Sequence, residues 1–297
     1  MKRNTVILLG ILALLIVAVF LVLQRPGERS ISADGGEVLV TYDSAAVEKI
    51  EVTSASATTT LQREGAGWML TSPLRAKADD AGVYQLLSKG RKIALKAMVS
   101  SNPQKQTMFQ VDSTGTLVRL YAGGSERAAF RIGKTGPTYT ETYVRSEGSN
   151  DVYLADGMLL YLFVKQPRDW RDKAILRLPQ ESIKSVRYQY GDTTFALAFQ
   201  DSMWKIDGTP TTEYAVRGLL GALATFSADD FIDTTIAAPP PLTAEIDIEG
   251  TQLRFHKNPQ TNNFFVICSS GPQVYEVQGW HAAQVLKRKN ELTGSPS

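Results

Sequence analysis

Hydrophobic and polar positions alternate in short runs from residue 47 onward, and the same pattern occurs twice. Trp68 follows Ile50 by eighteen residues, and Trp204 follows Val186 by eighteen residues as well. The two pairs lie 136 positions apart. A fixed offset over this length indicates an internal repeat, and a repeat constrains the architecture more than any single motif does.

Each copy predicts three strands, a helix, four more strands and a closing helix. Alternation and β-branched residues predict strands, in the first copy at 50–52, 58–63, 68–70, 117–121, 128–132, 139–145 and 152–155. The second copy has such runs at 186–190, 193–199, 203–206, 242–248, 252–256, 264–267 and 274–277. Helical spacing of apolar residues is found at 83–93 and 216–226, with closing helices at 158–165 and 280–289. Because the connections are short, antiparallel pairing is favoured. The predicted fold class is α+β, with an N-terminal transmembrane helix followed by two tandem repeat units of mostly antiparallel sheet and packed helices.

The predicted transmembrane helix is an apolar run, VILLGILALLIVAVFLVL, at residues 6–23. At about 1.5 Å per residue it spans roughly 27 Å, close to the hydrocarbon thickness of a bilayer. A cleaved signal peptide is the alternative, but its apolar region is usually only about 7–15 residues long and ends at a small-residue cleavage site. We therefore predict a cytoplasmic tail at 1–5, a membrane span at 6–23 and a juxtamembrane linker at 24–46.

The flanking charges predict the orientation of this helix. Lys2 and Arg3 precede it, while Arg25 and Arg29 follow it and are partly offset by Glu28. Counting basic residues with the free amine favours a cytoplasmic N-terminus. The predicted localisation is the bacterial inner (cytoplasmic) membrane, single-pass, with the C-terminal domain in the periplasm or extracytoplasmic space.

The repeat sets the remaining domain boundaries. The first α+β unit is predicted at 47–165 and the second at 183–290, joined by a junction at 166–182. A disordered tail is predicted at 291–297.

Charge excludes one class of partner. The chain has 32 Lys and Arg against 30 Asp and Glu residues, and the excess equals Lys2 and Arg3. A neutral ectodomain lacks the positive field that binds phosphate backbones, so no nucleic acid partner is expected. The single Cys268 cannot form an internal disulfide, and its apolar neighbours predict a buried thiol.

The sequence contains no evident catalytic or metal-binding constellation. The two histidines, His256 and His281, have no second ligand at metal-binding spacing, so neither a metal site nor a cofactor is expected. His256 is expected to be exposed on a strand. A Ser-His-Asp hydrolase stays open, because folding rather than spacing assembles such a triad. The acidic pair Asp79–Asp80 is interpreted as a helix cap, and Asp229–Asp230 as a solvated turn.

The candidate interaction residues lie in the junction, and they are Arg168, Asp169, Trp170 and Arg171. Aromatic and Arg side chains are enriched at interfaces, and we expect this cluster to be exposed. The alternative interpretation, which is favoured over it, is that the cluster cements the two units together. The repeated Trp68 and Trp204 are expected to fill the core between the third strand and the helix rather than to stack on a ligand.

Four short motifs follow one another along the first copy and the junction after it. They are W-x-L-x-x-P at Trp68–Pro73, Y-V-R at Tyr143–Arg145, D-V-Y-L at Asp151–Leu154 and R-D-K at Arg171–Lys173. With the amphipathic helix between them, these motifs resemble the DUF4340 family of uncharacterised bacterial proteins over most of residues 47–290. The resemblance implies an envelope protein associated with gliding-motility-type ABC transporter components, with an auxiliary role and no known active site. The second copy has Phe265–Ile267 in place of Y-V-R, so a function of that segment would belong to the first unit alone.

These observations predict a non-enzymatic accessory or scaffold subunit of a membrane protein complex, for which an ABC transporter is one candidate. Its partners would be the membrane and other membrane or envelope proteins, such as a transporter permease. One alternative is a periplasmic glycan- or lipid-binding module, which requires a cleft with exposed aromatic residues. The other is an envelope hydrolase, which requires a histidine bonded to a serine and an acid.

Overall fold

A computed structural model describes residues 37–233 and 239–293. The predicted cytoplasmic tail, the predicted membrane helix at 6–23 and most of the predicted linker lie outside these described residues. Within the described ranges, no helix combines the length and the apolarity needed to cross a membrane.

The chain divides into two compact units, with the boundary between Arg171 and Asp172. The first unit contains one antiparallel sheet of nine strands in the order β4-β3-β2-β1-β6-β7-β8-β9-β5. Its strands are β1 (Lys49–Thr53), β2 (Thr58–Glu64), β3 (Gly67–Ser72), β4 (Ala76–Lys77), β5 (Leu95–Ser100), β6 (Thr116–Ala122), β7 (Ser125–Thr135), β8 (Glu141–Ser146) and β9 (Val152–Asp156). Its helices are α1 (Asp80–Gly90), α2 (Gln106–Phe109) and α3 (Leu159–Phe163).

The second unit repeats this topology strand for strand, in the order β13-β12-β11-β10-β15-β16-β17-β18-β14. Its strands are β10 (Ser185–Tyr190), β11 (Thr193–Gln200), β12 (Met203–Ile206), β13 (Thr209–Pro210), β14 (Asp230–Ile232), β15 (Leu242–Ile248), β16 (Thr251–Lys257), β17 (Phe264–Cys268) and β18 (Val274–Val277). Its helices are α4 (Glu213–Ala224), α5 (Gly279–Val285) and α6 (Lys289–Thr293).

Strand register shows that the repeat in the sequence is a repeat in structure. Ile50 pairs with Leu61 in the first unit, and Val186 pairs with Leu197 in the second. Both residues of the second pair lie 136 positions after those of the first. The prediction of an α+β fold with two repeat-like antiparallel units is therefore confirmed.

Four strands were not predicted, and each lies at the edge of a sheet. The strands β4 and β13 have two residues each, which is too short for alternation to be visible. The strands β5 and β14 follow the first helix of each unit and pair only with β9 and β18. Edge strands have one neighbour and a weak burial pattern, so hydrophobic periodicity alone does not reveal them.

The helices α1 and α4 each pack one apolar face into the core of their unit. The buried residues of α1 include Val83, Leu86 and Leu87, and those of α4 include Val216 and Leu220. Their spacing of three and four residues puts them on one face of a helix. Truncating one such leucine to alanine costs about 2–5 kcal/mol, so packing rather than helix propensity holds these helices in place.

The first unit starts earlier than predicted. Residues 37–46 were assigned to the linker, but Leu39 is buried in the core of the first unit and Val38 forms a β-bridge with Ala94. In the second unit, Ala174 forms the equivalent bridge with Ser227. Residues 172–182, assigned to the junction, are therefore the opening segment of the second unit.

The ends of the two units correspond as well. Trp170 O accepts a hydrogen bond from Asp79 N at 2.8 Å, and Leu292 O accepts one from Thr212 N at 3.0 Å. Residues 166–171 thus close the first unit, as α6 closes the second. The predicted disordered tail was wrong for residues 291–293, because Leu292 is 1% exposed. Residues 294–297 lie outside the described ranges.

An ion pair also holds α6 in the second unit. Lys289 Nζ lies 2.7 Å from Asp207 Oδ2 in the turn between β12 and β13. The hydrogen bond from Lys289 is the main cause that lowers the pKa of the Asp207 carboxyl.

Candidate functional site

The four predicted interaction residues are placed in two different environments. Arg168 and Asp169 are exposed on a short 3-10 helix, Pro167–Trp170. Trp170 and Arg171 are buried, at 0% and 3% exposure. The expectation of exposure was wrong for these two residues, because Trp170 belongs to the core of the first unit.

The two histidines have structural partners. His256 is buried, with Nδ1 2.7 Å from Pro240 O, so the expectation of an exposed histidine was wrong. His281 Nδ1 lies 3.1 Å from Asp229 Oδ2, and the same oxygen accepts a hydrogen bond from Gln278 N at 2.8 Å. Asp229 therefore fastens the start of α5 rather than lying in a solvated turn.

The described residues do not contain the bonded triad that a hydrolase requires. Within 37–233 and 239–293, neither His256 nor His281 is hydrogen-bonded to a serine. The same ranges contain no group of three or more His, Cys, Asp or Glu side chains able to hold a metal ion.

An open cleft in the second unit is the best candidate for a functional site. It has a volume of about 530 Å³ and lies between α4 and the hairpin of β11 and β12. Its lining includes Phe199, Met203, Trp204, Arg217 and Gln180. A cleft of this size that is lined by apolar, aromatic and a few polar side chains is typical of a binding site.

The apolar wall of the cleft is formed by β11 and β12. Phe199 and Met203 are 41% and 47% exposed. The rings of Phe199 and Trp204 have centroids 5.6 Å apart, and Trp204 is only partly buried. Large side chains with this exposure are available to a ligand.

The polar wall is the first turn of α4 and the segment before it. Glu213 and Arg217 form an i,i+4 ion pair whose side chains are 82% and 72% exposed. Thr211 donates to Trp204 O through its N–H at 3.2 Å and through its hydroxyl at 3.0 Å. These bonds hold the chain entering α4 beside the outer edge of β12.

The first unit has the same elements at this place, but its tryptophan is buried. Trp68, the counterpart of Trp204, is 1% exposed. Asp80, the first residue of α1, accepts a hydrogen bond from Trp68 N at 2.7 Å. The guanidinium carbon of Arg63 lies 5.3 Å from the Trp68 ring centroid. A carboxylate carried by the helix thus fastens α1 directly to β3.

A glycine explains why this contact forms only in the first unit. A Cβ atom at Gly67 would lie 3.2 Å from Asp80 Oδ2, which is tighter than ordinary van der Waals contact. The second unit has Met203 at the Gly67 position and Glu213 at the Asp80 position. The longer Glu213 side chain bonds to Arg217 instead, so α4 does not repeat the carboxylate contact of α1, and the cleft lies open beside it.

Alanine substitutions at the first residues of α1 and α4 are predicted to have different effects on stability. Asp80→Ala is expected to destabilise the first unit by about 1–3 kcal/mol, because the amide of Trp68 loses its charged acceptor. Glu213→Ala is expected to change stability by less than about 0.5 kcal/mol, because its ion pair is exposed. Both variants place alanine at the first position of a helix, so the introduced residue and its position in the helix are the same in the comparison. Urea unfolding with hydrogen exchange of each unit measures both, and equal losses would contradict the fastening role of Asp80.

Sequence reasoning did not find the cleft, although the aligned copies contain the signal. Arg63, Gly67 and Asp80 of the first unit correspond to Phe199, Met203 and Glu213 of the second. A triplet that changes this much around a repeated tryptophan marks a place where the two copies differ in function or packing.

Comparison with known families gives one match. A family model described as "Domain of unknown function (DUF4340)" matches residues 68–245, more than half of the chain. The matched region runs from Trp68 in β3 to Glu245 in β15, so it includes parts of both units and the whole lining of the cleft. No curated protein and no solved structure matches the chain.

Proposed function

Since the chain belongs to the DUF4340 family, whose description assigns no function, we propose from the site itself that this protein is a non-enzymatic binding subunit. In this proposal the cleft of the second unit holds an extended segment of a partner protein. The partner is another component of a membrane complex, in which this chain acts as an accessory or scaffold subunit.

The observation that carries the proposal is the contrast between the two copies. The first unit buries its tryptophan and fastens its helix, whereas the second exposes Phe199, Met203 and part of Trp204 in a cleft. Aromatic residues, Met and Arg are the types enriched at protein interfaces. A cleft lined by aromatic and Met side chains, with an arginine at its rim, favours a polypeptide ligand.

The place of the protein in the cell is proposed from sequence alone. The apolar run at 6–23 supports a membrane anchor, and the flanking basic residues support an extracytoplasmic position for both units. An ABC transporter of the gliding-motility type is the complex that the proposal favours.

Site-specific photo-crosslinking tests the proposal. A photoreactive amino acid replacing Met203 in the full-length chain, activated in native membranes, is expected to give one discrete adduct with one membrane or envelope protein. The control replaces Gln189, which is exposed on β10 outside the cleft, and is expected to give no adduct. The adduct should also be lost when Trp204→Ala is added while the photoreactive residue is kept.

An adduct that survives Trp204→Ala, or that forms equally from position 189, would contradict the proposal. A second candidate function, glycan binding, is supported by the aromatic faces of Phe199 and Trp204 beside Gln180 and Arg217. It predicts that a soluble oligosaccharide suppresses the adduct, whereas the proposed peptide ligand predicts no such competition.

A further inference from the structure

Resting on the proposed function, we infer that the cleft recognises a carboxylate of the partner polypeptide. An Asp or Glu side chain of the partner accepts a hydrogen bond from the Trp204 N–H, in the position that Asp80 occupies in the first unit. The neighbouring apolar side chain of the partner then lies against Phe199 and Trp204.

The first unit shows how this position is filled. Trp68 O accepts from Ala78 N at 2.9 Å, and Trp68 N donates to Asp80 Oδ1 at 2.7 Å. Both polar groups of Trp68 therefore face the outer edge of β3, and a carboxylate of the chain itself satisfies the amide.

The second unit has the same strand edge without the carboxylate. Trp204 O accepts from Thr211 N at 3.2 Å, so Trp204 also turns its polar backbone groups toward the outer edge. The N–H and C=O of one residue in an antiparallel strand point to the same side. Across the residues that the structure describes, no side chain accepts a hydrogen bond from Trp204 N, and Trp204 is one of the residues that line the cleft.

The acidic residue at the position equivalent to Asp80 is engaged elsewhere. Glu213 is bonded to Arg217 on the exposed side of α4, and Met203 has a side chain where Gly67 has none. An acceptor from a separate chain is not tied to the start of α4, so it can approach Trp204 N from the open side of the cleft. A hydrogen bond to an ionised acceptor is about twice as strong as a neutral one, which makes a carboxylate the preferred group.

Two basic side chains lie in or near the cleft and could attract a carboxylate ligand. Arg217 lines the cleft, and Lys184 Nζ lies 5.0 Å from the Phe199 ring centroid. Glu213 also lines the cleft, and its negative charge repels an acidic ligand. Its ion pair with Arg217 offsets part of this repulsion. Neutralising Glu213 should strengthen binding of a carboxylate and leave a neutral ligand unaffected.

Selective labelling of the full-length chain with [15N]tryptophan gives a direct test. The chain has only four Trp residues, so four backbone amide signals can be assigned with single Trp→Phe variants. The probes are two capped peptides, acetyl-Leu-Asp-Leu-amide and acetyl-Leu-Asn-Leu-amide. The Asp peptide is expected to shift the Trp204 amide signal and to leave those of Trp68 and Trp170 unchanged. The Asn peptide should bind about tenfold more weakly, because it lacks the charge.

A double variant transfers the contact of the first unit to the second. Met203→Gly with Glu213→Asp recreates the residues that surround Trp68, and is expected to bring the shortened carboxylate at position 213 onto Trp204 N. The Trp204 amide signal should then move in the same direction as with the Asp peptide, and peptide binding should fall by at least about tenfold. Met203→Gly with Glu213→Asn is the control; it makes the same changes of shape without the charge, and peptide binding should fall by less than in the Glu213→Asp double variant.

The outcomes separate the inference from the proposed function. Equal binding of the Asp and Asn peptides would overturn the carboxylate inference, while the Met203 crosslink could still support the proposed function. A shift by the Asp peptide without any crosslinked protein would overturn the proposed function and keep the carboxylate site. A Trp204 shift caused by a neutral oligosaccharide, with none from either peptide, would overturn both.

Discussion

Replacing Trp170 by alanine is expected to destabilise the first unit by about 3–5 kcal/mol, because a large aromatic side chain leaves a packed core. Trp170 is 0% exposed and belongs to the core of the first unit. Its backbone oxygen accepts from Asp79 N, so the buried side chain anchors a segment that is also bonded to the start of α1. An interface role for Trp170 would predict almost no change in stability.

Hydrogen exchange by mass spectrometry, resolved over residues 37–171 and 173–293, measures this effect within one molecule. Faster exchange is expected in peptides of the first unit. Arg168→Ala, a change at the exposed neighbour, should stay within about 0.5 kcal/mol. Leu292→Ala is the matched variant of the second unit and should cost about 2–5 kcal/mol there. Unchanged exchange in the Trp170 variant would show that the junction does not close the first unit.

The second large effect is the difference between the two repeated tryptophans. Trp68→Ala is expected to cost about 3–5 kcal/mol, because Trp68 is 1% exposed. Trp204→Ala is expected to cost only about 1–2 kcal/mol, because part of its side chain already faces water in the cleft. The same substitution at equivalent positions therefore separates a core residue from a residue available for binding.

Urea unfolding of both variants, followed by the same exchange measurement, gives the two values. Trp204→Phe serves as a control that keeps an aromatic ring in the cleft and should be close to the wild type in stability. Equal losses for Trp68→Ala and Trp204→Ala would mean that Trp204 is packed as tightly as Trp68, and the open cleft would then be wrong.

Much of the architecture could be predicted from one sequence because the fold is present in two copies. The constant offset from Ile50 to Val186 and from Trp68 to Trp204 identified the equivalent strands, and the structure pairs them in the same register. Hydrophobic alternation located the central strands well. Each of these strands pairs with a neighbour on both sides and buries one face, so its apolar residues must alternate with polar ones.

The unit boundaries could not be read in this way. Residues 166–171 and 289–293 carry few apolar residues, and each segment is held by one buried anchor, Trp170 or Leu292. A single anchor produces no periodicity, so the first segment was interpreted as a junction and residues 291–293 of the second as part of a disordered tail. Their equivalence becomes visible only through the matching hydrogen bonds to Asp79 and Thr212.

The sequence by itself determined the repeat, the α+β class, the family and the positions of most strands, because alternation and spacing are properties of neighbouring residues. Only the tertiary structure decided which tryptophan is buried and which is accessible. That difference depends on Gly67 and Asp80, which lie on separate elements and meet only when α1 packs beside β3. With Met203 and Glu213 in those places, the same fold leaves the side chains of Phe199, Met203 and Trp204 lining an open cleft. The physical reason is the length and volume of the side chains at positions 203 and 213 rather than any motif.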